Sequence, residues 1–90
     1  GQNALFYAAS KGQIQMAQLL IELGLDVNSR DQNKNTPLFY AVGNGELNMV
    51  QWLVEHGADL NATNDDEKTP KGVVWKHRDM TKLLWELGAR

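Results

Sequence analysis

The chain has 90 residues, 42% hydrophobic and 22% charged, the balance of a globular protein, but a chain this short buries only about 60–65% of its unfolded surface. With no cysteine there is no disulfide, thiolate zinc site or thiol nucleophile, and a net charge of −2 excludes the Lys/Arg surplus of a nucleic-acid module. No apolar run approaches 18 residues, and Gly1-Gln2-Asn3-Ala4 has no charged region leading into an apolar core, so neither a membrane span nor a signal peptide is expected.

The sequence repeats with a period of 33. Leu5-Phe6-Tyr7-Ala8 falls on Leu38-Phe39-Tyr40-Ala41, Gly12 on Gly45, Met16 on Met49 and Gln18 on Gln51. Leu20 meets Leu53, Glu22 meets Glu55, Gly24 meets Gly57, Asp26 meets Asp59 and Asn28 meets Asn61, completing 12 identities. A second shift lays Thr36-Pro37 on Thr69-Pro70 and opens a shorter third copy that ends in Leu83-Leu84-Trp85-Glu86-Leu87-Gly88-Ala89. The Thr-to-Gly distance falls from 21 (Thr36 to Gly57) to 19 (Thr69 to Gly88), so the third copy lacks two residues. The units are 3–35, 36–68 and 69–90, one domain over 1–90.

Each unit predicts two helices and a loop. Thr36 and Thr69 suit the N-cap, where the hydroxyl accepts a free backbone N–H, and Pro37 and Pro70 then take the first helical position. The first helix runs to about Val42, and Gly43-Asn44-Gly45 breaks it. The second carries the apolar stripe Leu47, Val50, Leu53, Val54, matched by Ile14, Ala17, Leu20, Ile21. Gly24, Gly57 and Gly88 suit the left-handed position after a helix. The polar stretches Asp26 to Asn35 and Asp59 to Lys68 predict hairpin-like connections, in which Asn28 and Asn61 hold the turn by side-chain to backbone bonds. Trp52 and Trp85 fall on apolar positions of the other copies and are expected in the core. Trp75 lies beside the deletion, either covering the shortened turn or exposed as a contact residue.

The period, Thr-Pro-Leu-Phe-Tyr-Ala at 36–41, Asn44-Gly45, and the run from Trp52 through Glu55-His56-Gly57-Ala58-Asp59-Leu60-Asn61-Ala62 resemble ankyrin repeats over nearly the whole chain. The resemblance implies an all-α solenoid of stacked helix–turn–helix units joined by hairpin-like loops, about two and two-thirds repeats long. It also implies that Asn28 and Asn61 match a position that can be hydroxylated in eukaryotic members. Phe6 and Phe39 stand where the family usually has His, and Lys34 and Glu67 where its hairpin has Gly. Asn3-Ala4 replaces the leading Thr-Pro, and Lys71-Gly72 replaces Leu-His. The third unit reads as a degenerate cap, with Lys71, Lys76, His77, Arg78 and Lys82 on a solvated face. The first unit is written like an internal one, so a further repeat or a partner is expected before Asn3.

Catalytic and metal motifs are absent. His56 and His77 have no companions at ligand spacing, and Asp65-Asp66-Glu67 lacks the alternating ligands and central Gly of a calcium loop. The resemblance implies a protein-interaction module with no catalysis, no cofactor, no metal and no small-molecule substrate. Its partner is another protein, not nucleic acid or membrane. The contact surface would comprise Arg30, Gln32, Asn33 and Asn35 in the first hairpin and Thr63, Asp65, Asp66 and Lys68 in the second. Tyr7, Ser10, Lys11, Tyr40, Gly43 and Asn44 complete it from the helix side. The alternative is a structural or targeting segment of a larger enzyme, channel or secreted effector. The lack of Cys fits a reducing interior, so the expected location is cytoplasmic or otherwise intracellular, a bacterial effector delivered into a host cell included.

Overall fold

A computed structural model describes residues 2–70 and 78–88. Five helices follow in order: α1 (Gln2–Lys11), α2 (Ile14–Glu22), α3 (Pro37–Gly43), α4 (Leu47–Glu55) and α5 (Arg78–Leu87). No strand occurs among the described residues. The expected first helix after Pro70, with Lys71, Trp75, Lys76 and His77, lies outside them.

The helices pair as the sequence repeat requires. α1 packs on α2 and on α3, α3 packs on α4, and α4 packs on α5. The Gly-containing break between α1 and α2 recurs between α3 and α4: Gln13 N donates to Ala8 O at 2.9 Å, and Glu46 N to Ala41 O at 3.0 Å. The closing turn recurs too, with Leu25 N to Leu20 O at 3.1 Å and Ala58 N to Leu53 O at 2.9 Å. Gly24, Gly57 and Gly88 have φ of 101°, 98° and 106°, the left-handed conformation that a side chain disfavours.

One core runs through both pairs. Leu5, Ala8 and Ala9 of α1 meet Leu38, Ala41 and Val42 of α3, and Ala17, Met49, Val50 and Leu53 close it from the second layer. Met80 and Leu84 continue it into α5. The small residues Ala8, Ala9 and Ala41 let α1 and α3 approach closely. Truncating a fully buried Leu such as Leu53 to Ala costs about 2–5 kcal/mol at sites of this kind.

Five expectations are corrected. Thr36 has the extended backbone of an N-cap, but its buried hydroxyl makes no hydrogen bond. Phe39, three residues on, occupies the position of the family's His and offers no polar group. Trp85 is 58% exposed, whereas Ile21 and Val54 at the matching positions are partly buried against the core. Trp52 packs only at the core's edge, its ring stacked on His56 at 4.0 Å. Asn28 does not brace its own turn: its amide donates to Gly57 O at 3.0 Å and accepts from Asp59 N at 2.8 Å, joining successive loops. Leu47, expected in the buried stripe, is also exposed at the start of α4, whereas Met49 is buried.

Candidate functional site

The two polar loops are copies of one another, and their backbone explains why. Asp31 N donates to Asn35 O, and Asn64 N to Lys68 O, both at 3.0 Å. Inside each loop one side chain organises the tip. Asp31 Oδ1 accepts from Asn33 N and Asn35 N at 2.9 Å, as Asn64 Oδ1 accepts from Asp66 N at 2.9 Å and Lys68 N at 3.1 Å. An oxygen acceptor two and four residues before the amides it must satisfy is a turn device that Asp and Asn supply equally. The left-handed residues at the tips are Lys34 (φ 63°) and Glu67 (φ 60°), where Gly is the unstrained choice.

The tips are fastened side by side. Asp65 N donates to Asn33 O at 2.9 Å, Asn64 Nδ2 to Asn35 Oδ1 at 3.0 Å, and Arg30 Nη1 to Thr63 O at 3.0 Å. One main-chain bond and two side-chain bonds therefore hold the loops as a ledge, on which Gln32, Asn33, Asp65 and Asp66 are exposed.

Between the first ledge and the helices lies a groove of about 640 Å³ lined by Phe6, Tyr7, Ser10, Arg30, Asp31, Gln32, Asn33 and Tyr40. The rings of Phe6 and Tyr40 meet at 5.3 Å and 59°, a favourable tilted contact across α1 and α3. The Tyr40 hydroxyl donates to the Asp31 carboxylate. Partial burial alone would raise the Asp31 carboxyl, but the bonds from Tyr40 and from the Asn35 and Asn33 amides outweigh it and hold it below the ordinary carboxylate value. The same bond is the main reason the Tyr40 phenol is raised, with burial and the Asp31 charge adding to it. Asp31 is thus an anion and Tyr40 a neutral donor at neutral pH.

Six of the expected contact residues line this groove: Tyr7, Ser10, Arg30, Gln32, Asn33 and Tyr40. Lys11 is exposed at the end of α1. Asn35 is occupied by Asn64, and Asn44 closes α3 by donating from its side chain to Tyr40 O at 2.9 Å. Gly43 and Asn44 are exposed at the other end of α3, and Thr63, Asp65, Asp66 and Lys68 are exposed on the second ledge. Phe6 and Asp31 line the groove without having been expected there. Asp31 was legible in principle, since an Asp or Asn stands at the same place in both loops.

The chain matches the family model for ankyrin repeats (3 copies) over residues 1–64, and it belongs to the ankyrin-repeat family. Proteins of this family are generally protein–protein interaction modules and typically non-catalytic. A comparison with curated proteins gave no match. Among the described residues no three His, Cys, Asp or Glu side chains are grouped to hold a metal, and no helix is long and apolar enough to cross a membrane.

Proposed function

We propose that the chain binds a partner protein through the groove between α1, α3 and the first loop, and along the ledge of the two loop tips. The observation that carries this reading is the groove itself. It combines an exposed aromatic ring, Tyr7, with the polar side chains Gln32, Asn33 and Arg30, all on a backbone fixed by loop-to-loop hydrogen bonds. Rigid aromatic residues beside adaptable polar ones are the make-up of a recognition surface, giving contact area at little entropic cost. Charge adds direction: Arg30 lines the groove and Lys11 is exposed at the end of α1, while Asp65, Asp66 and Glu67 lie on the second tip. A partner of opposite gradient is steered in, and more weakly at high salt. The unit boundaries after Asn35 and after Lys68 belong to the same reading and are supported by hydrogen bonds that recur at the repeat spacing.

The test is to isolate a partner by affinity capture on the chain and then measure its Kd for Tyr7→Ala and Asn33→Ala. Both side chains are exposed, so the fold survives their truncation. A central aromatic anchor lost from an interface weakens binding by about 2 kcal/mol, roughly thirtyfold. Unchanged affinity in both variants, with an unchanged melting curve, would place the binding surface elsewhere.

A further inference from the structure

The two loops make the same turn with different residues. Asp31 and Asn64 each accept from two backbone amides of their own tip. The turn therefore needs an oxygen at this place and not a charge. The second oxygen of Asp31 meets the Tyr40 hydroxyl, which can accept from a carboxamide as well as donate to a carboxylate. The first loop nonetheless sets an anion into the wall of the groove.

That anion is partly withdrawn from water without a counter-ion. Burial works against the charge, and hydrogen bonds from Tyr40, Asn35 and Asn33 sustain it, with no described cation contributing. Among the described residues no ion pair includes Asp31, and its neighbour Arg30 gives Nη1 to Thr63 O on the second tip. Around Asp31 the groove is aromatic: Phe6 and Tyr40 are in contact, and Tyr7 is 54% exposed. A carboxylate beside an exposed aromatic ring complements an organic cation, which gains Coulomb and cation–π attraction together.

We infer that the groove receives a lysine side chain of the partner, its methylenes along the Tyr7 ring and its ammonium at the Asp31 carboxylate, an inference that rests on the reading of this groove as the partner site. Lysine fits better than arginine. Three donors already occupy the Asp31 oxygens, so no open pair of acceptor sites meets a guanidinium fork, while a compact ammonium needs only one. The lysine stem packs on an aromatic face with the charge kept at its tip. Arg30 lines the same groove and Lys11 is exposed at the end of α1, so a run of basic residues is repelled. The segment that fits carries one lysine with an acidic residue beside it, the complement of neighbouring Asp31 and Arg30.

The probe is a peptide selected on the wild-type chain from a random display library. Its Kd is measured with the lysine kept, replaced by norleucine or replaced by arginine, on the wild type and on Asp31→Asn. Norleucine should weaken binding to the wild type roughly tenfold, and Asp31→Asn should weaken the lysine peptide by a similar factor. On Asp31→Asn the change to norleucine should then cost roughly twofold or less, because the cation has already lost its anion. Arginine should bind the wild type roughly threefold more weakly than lysine. Asn64 makes the same turn with a carboxamide, so Asp31→Asn keeps the loop, which an unchanged circular dichroism spectrum checks. Should that variant unfold, the norleucine and arginine peptides decide on the wild type alone. Selected peptides that Tyr7→Ala or Asn33→Ala weakens, but that lack lysine or tolerate norleucine, would overturn the lysine and leave the groove as the site. Peptides that none of these chain variants weakens, or a selection that yields no binder, would overturn both.

Discussion

Tyr40, on the second turn of α3, donates its hydroxyl to Asp31, which organises the loop before that helix. One bond thus ties the tip of a loop to the helix it leads into and fixes one wall of the groove. Replacing Tyr40 with Phe removes only the hydroxyl and is expected to cost about 1 kcal/mol, as for a partly exposed bond to a charged group. Urea denaturation at neutral pH measures it.

The same pair gives a pH dependence with a defined sign. The Asp31 carboxyl is lowered in the folded state, so its contribution is complete above the ordinary Asp value of about 4 and is lost as pH falls through the lowered one. The stability gap between the wild type and Asp31→Asn should therefore be constant from pH 7 down to about 4 and close below it. The Tyr40 phenol is raised, so its contribution is complete below the ordinary Tyr value of about 10 and is lost as pH rises through the raised one. The gap to Tyr40→Phe should shrink on that side. Paired denaturation curves across the range decide both.

Lys34 and Glu67 sit in the left-handed region at the same place in each loop. A side chain there costs about 1–2 kcal/mol, partly offset by the entropy that glycine loses on folding. Lys34→Gly and Glu67→Gly are each expected to stabilise by about 0.5–1 kcal/mol, seen as a higher denaturation midpoint with an unchanged slope.

Thr36 reverses the usual rule for helix caps. Truncating a capping Thr normally destabilises a helix by about 1 kcal/mol, because a hydrogen bond is lost. Here the hydroxyl is buried without a partner, so Thr36→Val removes an unsatisfied group at constant shape. The expected result in thermal melting is no loss, or a gain of about 1 kcal/mol.

Asn28 uses both ends of its amide to bond Gly57 and Asp59, 29 and 31 residues further along the chain. Asn28→Ala is expected to cost about 1–2 kcal/mol, with Asn28→Asp between it and the wild type because the carboxylate still accepts from Asp59 N. Amide exchange at Asp59 provides a local readout: it should quicken most in Asn28→Ala.

The sequence alone was enough for the architecture, because a repeat displays its constraints twice. The break at Gly12 and Gly45, the helix ends at Gly24 and Gly57 and the apolar face of α4 depend on backbone conformation and helical spacing, which a single strand of text records. Six of the eight residues that line the groove were legible: Tyr7, Ser10, Arg30, Gln32, Asn33 and Tyr40 are polar or aromatic positions outside the repeat's apolar core. What only the tertiary structure decided is which equal positions are unequal. Met16 and Met49 are the same letter in the same register, as are Tyr7 and Tyr40, and their exposure differs because the first pair covers one side of the second, while nothing among the described residues covers the equivalent side of the first. Asn28 likewise reads as a turn residue until the next loop is seen to lie within reach of its amide. Burial and bonding across units are properties of distance between chain segments, and local sequence carries no record of them.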